Sequence, residues 1–174
     1  MKRRRLVLGA ILLAAAAAAV LRIWPVHALV LEETRTGRLL FVQRVRPGDG
    51  WVTRYTHSVK NKPVWEYFRI DDQYRMVLFK TVFPGSGYGL PCSVAGEENF
   101  EIREDGMHVI SGMRRIIPRL MLTVAPEYDN VFRYGQDQPL PLSRRIGSGV
   151  VDVRIRRTNA LNYATQELHH CLKN

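Results

Sequence analysis

The sequence predicts an all-β domain, an antiparallel β-sandwich or partly open barrel of about ten strands, behind an N-terminal hydrophobic helix. Three observations carry this reading. Beyond residue 28 the apolar residues fall in short runs with a period near two. Clusters of Gly, Pro, Asn and Asp separate those runs at short intervals. Ahead of them stands a basic cluster followed by a long uncharged apolar stretch.

The expected strands are Ala28–Glu32, Arg38–Val45, Trp51–Ser58, Val64–Ile70, Arg75–Phe83, Asn99–Arg103, Met107–Ile110, Leu120–Val124, Asn130–Tyr134 and Val150–Arg156. The connectors are turn chemistry: Pro47-Gly48-Asp49-Gly50, Lys60-Asn61-Lys62-Pro63, Asp71-Asp72, Glu104-Asp105-Gly106 and Gly147-Ser148-Gly149. The longest irregular piece runs from Pro84 to Glu98 and is the first place to look for a site. Residues 161–174 read as a C-terminal tail or short helix, weakened by Asn159, Asn162 and Asn174.

Lys2, Arg3, Arg4 and Arg5 precede an uncharged run from Leu6 to Leu21, the order of a basic and a hydrophobic region in an export leader. A spanning helix needs roughly 20 apolar residues, and Ile23 and Trp24 extend the run past Arg22. Residues 1–28 are therefore a membrane anchor or a cleaved signal peptide, with Val26-His27-Ala28 offering a processing site. The basic cluster on the N-terminal side orients residues 29–160, the β domain, toward the periplasm.

The formal charge of +10 overstates any attraction to nucleic acid. Lys2, Arg3, Arg4, Arg5 and Arg22 belong to the leader, leaving 21 of the 26 basic residues against 16 acidic ones. No aromatic-interleaved basic stripe accompanies them, and Arg154 and Arg156 read as a solvated strand face. Export makes a disulfide between Cys92 and Cys171 chemically possible, though reach cannot be read from sequence. Nothing in the spacing of Cys and His calls for a metal or another cofactor.

The stretch Arg54-Tyr55-Thr56-His57-Ser58-Val59, a turn, and Pro63-Val64-Trp65-Glu66 reads as a hairpin that places His57 almost opposite Glu66. A carboxylate facing the imidazole would fix its orientation, either as a bridge pinning the hairpin or as a functional pair. A serine hydrolase on Ser58 is disfavoured, because adjacent strand residues point to opposite faces and no Gly-x-Ser-x-Gly elbow exists. Gly85, Gly87 and Gly89 could expose backbone N–H groups to an anion, but the expected role is a bend with Leu90 plugged into the core. Arg115, within Arg114-Arg115-Ile116-Ile117-Pro118-Arg119, is a candidate to reach a carboxylate or an acidic ligand.

These residues resemble a known family. Tyr55-Thr56-His57-Ser58-Val59, Pro63-Val64 and Glu66, Gly87-Tyr88-Gly89-Leu90-Pro91 and the pattern from Arg115 to Val124 are similar to the bacterial domain-of-unknown-function family eighteen-fifty. Lys60 departs from it, standing where that resemblance leads one to expect an acidic residue. The family's small proteins are often encoded beside TRAP transporters of the TAXI type. The resemblance therefore implies an accessory role at the inner membrane, with a transporter subunit or its solute-binding protein as partner and no biochemical activity of its own.

The expectation is thus a non-catalytic envelope protein whose ligand or partner contacts are Tyr55, His57, Ser58, Glu66, Gly87, Gly89 and Arg115. The alternatives are a periplasmic small-anion-binding protein and a hydrolase of unknown chemistry using His57. On the leader reading, a reporter fused after Asn174 should be active only when it is one that works in the periplasm. Activity of a cytoplasm-dependent reporter at that position would contradict export.

Overall fold

Pairing between the first and the last strand organises the molecule. In the computed structural model, which describes residues 2–85, 87, 89–90 and 96–173, β1 (Pro25–Glu33) and β11 (Gly149–Asn159) run antiparallel. Their ladder extends from Pro25 opposite Asn159 to Glu33 opposite Val151. β2 (Leu39–Arg44) flanks β1 and β8 (Leu120–Val124) flanks β11, giving a four-stranded sheet in the order β2-β1-β11-β8.

The other strands are β3 (Gly50–Thr56), β4 (Pro63–Ile70), β5 (Met76–Phe83), β6 (Asn99–Ile102), β7 (His108–Ile116), β9 (Val131–Tyr134) and β10 (Leu140–Pro141). They form a seven-stranded antiparallel sheet in the order β10-β9-β3-β4-β5-β7-β6. The two sheets are antiparallel and do not close into a barrel. β7 runs further than the sequence suggests, because Gly112 at φ +76° lets the chain bulge opposite Leu78 to Lys80 and resume pairing up to Ile116. β10 was not anticipated; its two residues, one of them a proline, leave no periodic signal.

Strand alternation builds the core. Leu29 and Leu31 of β1, Val151 and Val153 of β11 and Leu122 of β8 share one buried cluster with Trp51, Phe68, Ile70, Met76, Phe83 and Phe132 of the larger sheet. Trp51 stands opposite Phe68 and the rings stack at 5.2 Å. Leu90 is buried in the same cluster, as the Gly-loop reading expects.

The other face of the four-stranded sheet is charged along β11 and apolar beneath a helix. Asp152, fully buried, accepts hydrogen bonds from Arg119 Nε and Nη2, both at 2.9 Å, and is ion-paired with Arg154. Glu32, its cross-strand neighbour, accepts from Arg154 at 2.9 Å and Arg156 at 3.0 Å. Arg154 and Arg156 are thus partly buried and paired, not a solvated row: Arg154 binds Asp152 of its own strand, and both bind Glu32 of β1, far away in sequence.

Ala28, Val30 and Val42 continue that face and pack against Tyr163 of the helix α3 (Ala160–Lys173). Of the two readings of the C-terminal segment, tail or short helix, the helix is the one found. Asn159 caps it by accepting the Asn162 N–H at 2.8 Å, and α3 lies over β1, β2 and β11. A short helix α2 (Leu142–Ile146) precedes β11.

The N-terminal helix α1 (Lys2–Ile23) packs against α3. Counted over the described residues, no helix is long and apolar enough to cross a membrane. Cys92 and the side chain of Cys171, and with them the expected disulfide, lie outside what is described.

The Asp152 cluster makes a measurable contribution. Asp152→Asn removes the charge from two hydrogen bonds and should cost about 1.5–3 kcal/mol, toward the lower end because Arg119 is 57% exposed. Urea denaturation should show that loss, while Asp72→Asn at an exposed turn should change stability by less than about 0.5 kcal/mol.

Candidate functional site

Side chains on the inner face of β3 and β4 leave the core as the strands approach their shared turn. Along β4 the inward row is Ile70, Phe68, Glu66 and Val64, so a carboxyl occupies a position that the pattern assigns to an apolar residue. Across the ladder Glu66 faces Thr53 and Val64 faces Tyr55, which puts Tyr55 diagonal to the carboxyl.

Opposite this polar wall stands β8. The two sheets differ in width, and β8 is the last strand of the smaller one. Leu120, Met121, Leu122 and Thr123 of β8, Tyr128 and Asn130 line one side of a cleft of about 410 Å³. Tyr55, Thr56, His57, Ser58 and Glu66 line the other. That volume is within the range of small-molecule pockets, roughly 300–1,000 Å³.

Glu66 has no ion-pair partner among the described residues. Burial raises its pKa above the ordinary glutamate value. The Thr53 hydroxyl opposes that shift only weakly: it faces the carboxyl, but it is buried without a partner in hydrogen-bond geometry. The Tyr55 phenol is pushed up to about 12, by burial first and by Glu66 second. At neutral pH the phenol is a hydrogen-bond donor, while burial favours the neutral form of the carboxyl more than in an exposed glutamate.

His57 closes the mouth of the cleft through its own turn. Its N–H donates to Lys62 O and its carbonyl accepts from the Asn61 N–H, both at 2.9 Å. Nδ1 accepts the backbone N–H groups of Val59 and Lys60, each at 3.2 Å, so Nε2 carries the hydrogen. Asn61 takes the left-handed conformation at φ +53°, which an asparagine tolerates. No hydrogen bond or ion pair joins His57 to Glu66; the expected pair is corrected to two groups that share a cleft. The register explains the difference, because Glu66 faces Thr53 and His57 lies beyond the last ladder pair, Thr56 opposite Pro63.

Asn130 builds the far wall. It is buried, donates through Nδ2 to Thr123 O at 3.1 Å and accepts the Ala125 N–H at 3.3 Å, holding the turn after β8 against the strand end.

Four of the residues singled out in the sequence, Tyr55, His57, Ser58 and Glu66, thus meet around one cleft. Gly87 and Gly89 are not among its described lining residues; they take φ +91° and +85°, and Leu90 donates its N–H to Gly87 O at 3.1 Å. Arg115 is also elsewhere, bound through Nε and Nη2 to Glu98 at 3.0–3.2 Å. The β8 wall and Asn130 were missed as site residues. The signal for β8 was present, since the pattern from Arg115 to Val124 belongs to the same motif set as Tyr55 to Glu66, whereas Asn130 lies beyond that pattern.

The Ser58 hydroxyl makes no hydrogen bond to the imidazole. Among the described residues no group of three or more His, Cys, Asp and Glu side chains is placed to hold a metal.

Glu66 gives the cleft a pH signature. Its folded pKa lies above its unfolded value, so its contribution is favourable below the ordinary glutamate pKa and is lost as pH rises through the raised one. Glu66→Gln, which cannot ionise, should therefore melt at a higher temperature than the parent at pH 8, and the gap should close below about pH 4. A gap that widens toward acid would overturn the assignment.

Against known proteins, a family model described as "Domain of unknown function (DUF1850)" matches residues 52–140, just over half of the chain. The match spans β3 to β10, and with them every described residue of the cleft lining. No curated protein and no solved structure matches the chain.

Proposed function

The chain belongs to the DUF1850 family, and from that premise we propose that it is a non-catalytic envelope accessory protein of a TRAP/TAXI-type solute transport system, anchored at the inner membrane with its β domain in the periplasm. It acts by binding a ligand or a transporter component in the cleft of Tyr55, His57, Ser58 and Glu66. The single observation that carries a binding role is Glu66: a carboxyl on the core-facing row, without a cation, costs stability and is the kind of local violation a fold retains for function. The transport assignment is supported by the gene neighbourhood that the family resemblance implies.

The chemistry of the lining describes what fits. One wall offers a hydroxyl donor, an imidazole and a carboxyl; the other offers Leu120, Met121 and Leu122. A group with a hydrogen-bonding head and an apolar flank matches both walls, whether it is a solute or a side chain of a partner. The small-anion alternative has less support at this cleft, because Glu66 repels an anion once ionised and Arg115 is bound to Glu98. The hydrolase alternative is not favoured either, since His57 Nδ1 is used by its own turn.

Two features support anchoring over cleavage. Val7, Ile11, Leu12, Leu13, Val20, Leu21 and Ile23 of α1 are exposed, an arrangement that a bilayer accommodates and water does not. Processing after Ala28 would also remove Val26 and Ala28, which are buried in β1 and paired with Thr158 and Arg156.

Deleting the gene and measuring uptake across a panel of solutes tests the reading. Uptake of one solute should be lost and restored by the parent gene, and Tyr55→Phe or His57→Ala should restore it less than a tenth as well. Unchanged uptake of every solute carried by the neighbouring transporter would refute the accessory role.

A further inference from the structure

The outer face of the seven-stranded sheet carries a second concavity, on the opposite side from the cleft. Register places Arg54 between Trp65 of β4 and Val131 of β9, and places Val52 between Tyr67 of β4 and Arg133 of β9. Because alternate residues share a face, all six side chains project outward. Together with Pro139, from the connection between β9 and β10, they line a hollow of about 370 Å³.

Two guanidiniums stand there against two aromatic rings, with valines for a floor. Arg54 is ion-paired with Asp129. Arg133 is different: its Nε is buried with no hydrogen-bond partner, and no carboxylate among the described residues is paired with it. Lys80, opposite Tyr67 on the next strand, holds its ammonium 5.3 Å from the Tyr67 ring centre and adds a third cation at the rim. Among the described residues, the one carboxylate ion-paired with a cation of this group is Asp129, and it is used by Arg54.

Arg133 thus lines the hollow with a guanidinium whose hydrogen bonding within the protein is incomplete and whose charge has no ion-pair partner among the described residues. The planar fork of arginine matches an oxyanion, and the indole and phenol beside it match a flat or apolar body. We propose that this hollow is a binding site for an oxyanion, carboxylate or phosphate, joined to an apolar group, with Arg133 as its anchor and Trp65 and Tyr67 as its sides. It is separate from the Glu66 cleft and does not depend on the function proposed for that cleft.

The test uses the full chain in an uncharged maltoside detergent, with phenyl phosphate and benzoate as probes and intrinsic tryptophan fluorescence and calorimetry as readouts. Phenyl phosphate should bind saturably, and inorganic phosphate and phenol should each bind at least tenfold more weakly. Arg133→Gln should weaken phenyl phosphate at least tenfold, Arg133→Lys should restore little of the loss, and Glu66→Gln should leave the affinity unchanged. Vesicles of phosphatidylglycerol identify the source: competition that requires Arg133 marks a lipid headgroup, and its absence marks a soluble ligand. No saturable binding of either probe, or equal affinity in Arg133→Gln, would overturn the site. If Arg133→Gln does not fold, Trp65→Leu should weaken phenyl phosphate more than inorganic phosphate, and an equal effect on both would refute the aromatic side of the hollow.

Discussion

The β1–β11 ladder is the constraint on which the remaining structure depends. It joins strands at the two ends of the β region over nine residue pairs, so the small sheet cannot form until nearly the whole chain is present. Its inner face supplies Leu29, Leu31, Val151 and Val153 to the shared core. Its outer face carries the Glu32, Asp152, Arg154 and Arg156 network and the apolar patch under α3. The same ladder sets the positions of β2 and β8, since each pairs with one of its two strands.

The cleft follows from that asymmetry. A four-stranded sheet facing a seven-stranded one must end somewhere over it, and it ends at β8 beside the turn of β3 and β4. There the inward row changes character, from Trp51 and Phe68 deep in the core to Thr53, Glu66 and Tyr55 near the rim. Polar side chains in these positions would be costly in the middle of the core and are tolerable where a neighbouring strand stops. Fold and site are thus one arrangement: the edge that stabilises the small sheet no further is the edge that opens the cleft.

Much of this was legible in the sequence. Period-two runs located all the longer strands, since a half-buried strand writes its alternation directly, and Leu90 read correctly as a plug because an apolar residue after a Gly-rich bend has few other roles. The cleft residues Tyr55, His57, Ser58 and Glu66 were singled out because the chain there reads as a hairpin bringing an imidazole near a carboxyl and because they carry the family resemblance. What could not be read was register and reach. One-residue offsets decide whether Glu66 faces His57 or Thr53, and turn geometry rather than composition sets them. Asn159 looked like a helix breaker in composition and acts as a helix cap, a distinction that depends on position alone. Arg154 and Arg156 looked solvated because Glu32, which binds both, lies 122 and 124 residues away, and because sequence does not show that Asp152, two residues before Arg154, is buried.

The central claim is that Glu66 sits where it does for binding and at a cost to stability. Unfolding midpoint at pH 7.5 and solute uptake, measured on the same Glu66→Gln protein, test it most directly. The account predicts a protein more stable than the parent that no longer supports uptake. A Glu66→Gln protein that is less stable and supports uptake normally would show that the carboxyl serves the fold, and the cleft would lose its claim to function.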